Sequence, residues 1–187
     1  MVIGDKKKKR LLLQLFLVAL LIFVIFWVNS YAVDHDFLRV VVQKFGYVGV
    51  FFGAAVSGFN LIVPIPIITF LPFFVEIGLN FYVLIFLIAF GMTVGDSIGY
   101  LIGKTGRGVF YSKPSRLQKK IDSLSSKHKL LPYIVLFFYA AFAPIPNEVL
   151  VIPMAFSGFR FRYMFISLLL GNIIFNVIAG VGILTLF

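Results

Sequence analysis

Apolar positions dominate this chain in long runs, and short polar clusters punctuate them. Residues 11–28 hold one polar side chain, Gln14, in eighteen positions, long enough for a helix to cross a bilayer. Further apolar runs cover residues 47–79, 81–103, 130–159 and 163–187. The runs 47–79 and 130–159, at 33 and 30 residues, exceed the roughly 20 residues one span needs and fall short of two spans. Each carries a Pro-Ile-Pro near its middle, Pro64 to Pro66 and Pro144 to Pro146. Such a triplet removes two backbone donors and pushes the residue before each proline out of the helical region. Each run is therefore predicted to break at its centre.

The positions of Lys and Arg choose between a bent span and a loop that returns. If both broken runs crossed fully, residues 104–129, with eight Lys and Arg, would lie outside, against the positive-inside rule. If both dip in and return, residues 6–10, the eight charges of 104–129, Arg160 and Arg162 all lie on the cytoplasmic side, and only Arg39 and Lys44 lie outside. That division, fifteen to two, predicts an all-α polytopic membrane protein. It has three spanning helices, at 11–28, 81–103 and 163–187, and two re-entrant hairpins entering from opposite faces. A cleaved signal peptide competes with the first span, because Ser30-Tyr31-Ala32 resembles a cleavage site, but signal cores usually run to only about 7–15 residues. Both readings keep the N-terminus cytoplasmic and place the chain in the cell membrane.

An offset of 80 residues superposes the two Pro-Ile-Pro triplets, Gly78 on Gly158, Phe81 on Phe161 and Gly91 on Gly171. The matches fall on punctuating residues and join the same unit, a hairpin followed by a helix, in opposite orientations. Inverted repeats with broken helices meeting at mid-bilayer are a transporter architecture. The expected organisation is an N-terminal segment (1–46) with the first span and an interfacial helix, repeat 1 (47–103), a basic amphipathic cytoplasmic segment (104–129) and repeat 2 (130–187). In the basic segment Leu117, Ile121 and Leu124 share one helical face, suited to lying on an anionic leaflet.

Composition narrows the chemistry. The chain is 61% hydrophobic and 13% charged, with a formal charge of +10. The positive charge sits in blocks between apolar runs rather than on a folded basic face, which argues against nucleic acid as a partner. Without cysteine, and with His35 and His128 isolated, there is no spacing for a metal cluster and no thiol nucleophile; no cofactor is expected, and a membrane enzyme is the least favoured class.

Polar groups inside apolar runs need an explanation, because an exposed charge at mid-bilayer costs at least about 2.5–3.5 kcal/mol. Asp96 and Glu148 should therefore face inward. Asn60, Asn147, Asn172 and Asn176 extend this polar set, and Asn176 takes the place of Asp96 under the 80-residue offset. Gly91, Gly95, Gly99 and Gly103 recur every fourth residue, a smooth stripe for close helix packing. Glu76 is expected at a solvated outer mouth. Arg107, Arg160 and Arg162 would draw anionic lipid headgroups to the cytoplasmic mouth.

The stretch Gly95-Asp96-Ser97-Ile98-Gly99-Tyr100, followed by Gly103-Lys104 and Gly106-Arg107, resembles the glycine-aspartate signature of the DedA family, the prokaryotic branch of the VTT or SNARE-associated Golgi proteins. Residues 142–148 resemble the second hairpin motif of that family, and the similarity covers roughly residues 45–187. The resemblance implies lipid translocation: recycling of undecaprenyl phosphate or movement of aminophospholipids, and phospholipid scrambling in eukaryotic relatives. Where the family carries carboxylates around the first Pro-x-Pro, this chain has Asn60, Ile67 and Ile68. Where it carries arginines around the second, this chain has Ala141 and Asn147. The resemblance extends to Asp96, Glu148, the four prolines and the helix glycines.

The leading expectation is a lipid transporter, flippase or scramblase, working on membrane lipids with anionic headgroups. A proton-linked ion transporter using Asp96 and Glu148 as relays and a non-transporting membrane scaffold are the alternatives. A homo-oligomer is compatible with each.

Overall fold

The computed structural model describes residues 36–59, 67–109, 119, 121, 123, 124, 128–143 and 145–185. These residues are all-helical, with no strand among them. Six α-helices follow in order: α1 (Asp36–Ser57), α2 (Leu71–Glu76, entered through a 3-10 turn at Ile67–Phe70), α3 (Phe81–Val109), α4 (Leu131–Phe142), α5 (Glu148–Ser157) and α6 (Phe161–Leu184). Stretches of α3, Phe81–Gly106, and α6, Phe161–Leu184, are long and apolar enough to cross a membrane. The expected span at 11–28 lies outside the described residues, as do Asn60, Pro64, Pro66, Pro144 and the side chain of Arg107.

Three sequence boundaries shift. The interfacial helix expected to end at Gly46 is continuous with the arm that follows, because nothing between Asp36 and Ser57 interrupts helical hydrogen bonding. The helix expected at 81–103 runs on to Val109 through Lys104 and Arg107, since Gly103 and Gly106 are tolerated where the rest of the turn is helical. The helix expected from 163 begins at Phe161. In the basic segment, Ile121 is buried in a cluster with Leu136, Met154 and Met164. That side chain is therefore held by the protein core rather than presented to a leaflet.

The long helices cross antiparallel. Gly180 of α6 lies against Phe81 and Ile85 of α3, while Phe161, at the other end of α6, meets Tyr100 with ring centroids 4.9 Å apart. Around this pair the short helices interlock. α1 packs along α3, and α4 along α6, each first arm beside the long helix of its own half. The second arms cross over: α5 packs on α3, and α2 with its 3-10 turn touches α6.

The two halves correspond at several points. Tyr47 OH accepts the Asn80 N–H at 2.9 Å, and Tyr133 OH accepts the Arg160 N–H at 3.1 Å. Each interrupted segment thus begins and ends at the same end of the molecule. α2 and α5 stop alike, with Gly78 at φ 94° and Gly158 at φ 90°, the left-handed conformation that glycine adopts without a Cβ penalty. The Leu79 N–H donates to Phe74 O and the Phe159 N–H to Met154 O, both at 3.1 Å. The cores correspond as well: Leu71, Leu84 and Ile88 in one half and Val151, Met164 and Leu168 in the other are pairs under the 80-residue offset.

One register change had hidden part of this repeat. Tyr47, Phe51, Phe52, Ala54 and Ala55 match Tyr133, Phe137, Phe138, Ala140 and Ala141 at an offset of 86 residues, not 80. A Cβ placed at Gly91 would lie 2.7 Å from Ala54 Cβ and 2.7 Å from Phe51 O; at Gly171 it would lie 2.6 Å from Ala140 Cβ and 2.8 Å from Phe137 O. The chain between the arm and the Pro-Ile-Pro is six residues longer in the first half, so an ungapped comparison misses these matches.

Candidate functional site

The site forms where the break between α4 and α5 meets the crossing of α3 and α6. Asp96 is the sixteenth residue of α3, about 22 Å along the helix from Phe81, and is 1% exposed. Its Oδ2 accepts hydrogen bonds from Asn147 Nδ2 and Asn172 Nδ2, both at 3.0 Å. Asn147 Nδ2 also donates to Asn172 Oδ1 at 3.2 Å, and Asn172 Nδ2 to Thr93 Oγ1 at 3.0 Å. Both hydrogens of both amides are thereby engaged, and the three side chains close a ring. Thr93 passes its own proton to Ala89 O at 2.8 Å. The ring joins α3, α6 and the residue just before α5, so it fixes the tip of the interrupted segment against both long helices.

Two acceptor atoms in this centre are buried without a hydrogen-bond partner among the described residues, Asp96 Oδ1 and Asn176 Oδ1. Asn176 lies one turn beyond Asn172; its Nδ2 donates to Asn172 O at 2.7 Å and to Met92 Sδ at 3.4 Å. Groups of this kind are costly to bury bare. Glu148, 1% exposed, opens α5 with its Cγ facing Gly99 and lies within electrostatic reach of Asp96.

The glycine-aspartate motif now has a physical reading. A Cβ at Gly95 would collide with Ala55 O and the Gly58 backbone, so α1 approaches α3 at backbone distance there. Gly99 makes room for Glu148, with a Cβ only 3.1 Å from its Cγ, and Gly103 for Ile152 O and Ala155 of α5. The stripe therefore serves two partners, α1 through Gly91 and Gly95 and α5 through Gly99 and Gly103. Tyr100 OH donates to Phe159 O at 3.3 Å, holding the exit of the second interrupted segment. Asp96 is left as the polar residue that the tightly packed motif aims inward.

The structure brings Asp96, Asn147, Glu148 and Asn176 of the expected polar set together. Pro146 stays at the break, where its carbonyl accepts the Tyr139 OH at 3.3 Å. Glu76 is exposed at the end of α2. Arg160 and Arg162 are exposed at the first turn of α6, where Arg162 donates to Tyr163 OH at 2.9 Å and lies 4.7 Å over its ring. Sequence reasoning missed Thr93 and placed Asn172 in the polar set without giving it a role at the site. Their spacing held the signal, because Thr93 precedes Asp96 by three residues and Asn172 precedes Asn176 by four, so each pair shares a helix face.

Comparison with family models, with curated proteins and with solved structures finds no match to this chain.

Proposed function

We propose that the chain is a membrane lipid transporter, a flippase or scramblase of phospholipid or polyprenyl phosphate, of the DedA and VTT type. In this reading α3 and α6 span the bilayer, and the segments around the two Pro-Ile-Pro triplets are opposed re-entrant hairpins of an inverted repeat. The carrying observation is the Asp96, Asn147 and Asn172 ring, a buried polar centre at the meeting of an interrupted segment with two long helices, with Asp96 Oδ1 still able to accept. Irregular backbone at membrane depth is tolerated only beside protein or a wet cavity, and this centre supplies that setting. The outer surface supports the same reading. Ile166, Leu170, Ile178 and Val181 of α6 and Phe86, Ile98 and Leu101 of α3 are exposed, so apolar residues face out while Asp96, Glu148, Asn147, Asn172 and Asn176 face in.

The basic end supplies the entry. Lys104, Lys129, Arg160 and Arg162 are all exposed, and Tyr100, Tyr133 and Phe159 bring their segments to one end of the molecule. In this reading a lipid headgroup drawn there is passed inward toward Glu148 and Asp96, which are each 1% exposed in this conformation.

Reconstitution tests the proposal. Purified protein in liposomes is expected to speed transbilayer movement of a fluorescent phospholipid or a labelled polyprenyl phosphate, and Asp96→Asn to abolish it. No acceleration of any such lipid would overturn the proposal, and ion flux without lipid flux would select the ion-transporter reading.

A further inference from the structure

The internal repeat defines a second position equivalent to the polar centre, and this chain has furnished it differently. Under the 80-residue offset Asn172 exchanges with Met92 and Asp96 with Asn176. The hydrogen bond from Asn172 Nδ2 to Asp96 Oδ2, 3.0 Å, therefore has its counterpart in Asn176 Nδ2 to Met92 Sδ, 3.4 Å. The other members correspond as Asn147 to Ile67, Glu148 to Ile68 and Thr93 to Ile173. Of five polar positions at the Asp96 site, four are apolar at its equivalent. The exception, Asn176, is left with a bare Oδ1 because its mate offers a thioether.

Packing fills much of the second position with apolar side chains. Gly53 stands where the other half has Tyr139, and the Ile67 side chain takes the vacated space, its Cδ1 3.2 Å from where a Gly53 Cβ would be. Ile68 is 4% exposed and packs into the core with Leu71, Leu84 and Ile88. In the other half Tyr139 is anchored on Pro146 O, and Asn147 turns to Asp96 instead.

We infer that the two equivalent positions have divided the work: the Asp96 position, 1% exposed in this conformation, is the one that takes up water, from the basic end, and the Met92, Ile67 and Ile68 position is an apolar seal that blocks the route to the opposite end. The inference rests on the membrane orientation proposed above but not on lipid being the cargo. Two equally polar positions would admit water from both ends when the site opens; one polar and one greasy position restricts that entry to one side.

The natural absence of cysteine makes the test direct. Single cysteines are placed at Asn147 and Thr93 on the polar side and at Ile67 and Ile173 on the other. Each is exposed to a membrane-impermeant thiol reagent from either face of sealed vesicles containing full-length protein. Cysteine at 147 or 93 is expected to react at least tenfold faster from the face bearing Arg160, and cysteine at 67 and 173 to stay unreactive from both faces. Thr93→Cys is nearly isosteric and reads the polar side if Asn147→Cys does not fold. A second measurement uses Ile67→Asn with Met92→Asn, which is expected to let the Thr93 cysteine react from both faces. Comparable reactivity of 67 or 173 from the opposite face, protection of both 93 and 147, or a double variant that leaves access one-sided would overturn the inference. Lipid assays do not enter, so failure of the transport proposal and failure of the seal are separable.

Discussion

Asn172 and Asn176 sit one turn apart on α6 and use their amides differently. Asn172 bonds through both ends, giving its hydrogens to Thr93 Oγ1 and Asp96 Oδ2 and accepting from Asn147. Asn176 has a buried Oδ1 with no hydrogen-bond partner among the described residues.

Two substitutions separate these roles. Asn172→Leu removes a donor to Asp96 and an acceptor from Asn147, leaving buried groups short of partners, and is expected to destabilise by roughly 1–3 kcal/mol for each group left unsatisfied. Asn176→Leu deletes an acceptor that is already unsatisfied along with a donor to Asn172 O and Met92 Sδ, and its cost is expected to stay under about 1 kcal/mol. Thermal unfolding in detergent reads both, and a larger loss at 176 than at 172 would contradict the hydrogen-bond geometry.

Alanine in the glycine stripe should discriminate by what it meets. At Gly95 a Cβ runs into backbone, Ala55 O and Gly58, which cannot yield without moving α1, so Gly95→Ala is expected to cost about 1–3 kcal/mol. At Gly99 the nearest atom, 3.1 Å away, is Cγ of the Glu148 side chain, which need give by only a few tenths of an ångström, and Gly99→Ala is expected to be milder by at least about 1 kcal/mol. Equal losses in chemical denaturation would refute this contrast.

Much of this was legible in the sequence, and the failures have physical causes. Pro-x-Pro and the glycines announced the breaks, because those residues act on the local backbone and need no partner to be read. Asp96, Asn147 and Glu148 were recognisable because polar groups in apolar runs require burial with a partner. Which amide would bond Asp96 was not readable: the linear offset paired it with Asn176, whereas antiparallel crossing of α3 and α6 places Asn172 opposite. Ile121 looked like one side of a surface helix because periodicity shows that a face is apolar and not what covers it. The arm match at Tyr47 and Tyr133 escaped because six extra residues separate it from the prolines.

The tyrosine clasps make a third prediction. Tyr47→Phe and Tyr133→Phe each delete one acceptor for the N–H of the residue just before a long helix, Asn80 and Arg160. Each is expected to cost about 0.5–1.5 kcal/mol. Amide hydrogen exchange should speed at residue 80 in the first variant and at residue 160 in the second, with no exchange of effects between them.

The left-handed glycines make a fourth. Gly78 has open space where a Cβ would go, so the penalty for Gly78→Ala comes from φ 94° alone and is expected near 1–2 kcal/mol, about that of one left-handed residue. Gly78→Asn should recover part of it, since asparagine tolerates this conformation better. An unchanged midpoint for Gly78→Ala would show that the turn relaxes.

The crossover of second arms bears on how the chain is made. Since α5 closes on α3 and α2 reaches α6, each half leaves part of its long helix to be covered by the other. A ribosome that has released only the first 109 residues has exposed Gly99 and Gly103 with nothing to lie against them, and assembly must wait until the downstream helix arrives. Two fragments split between α3 and α4 should accordingly be degraded when expressed singly and survive when co-expressed.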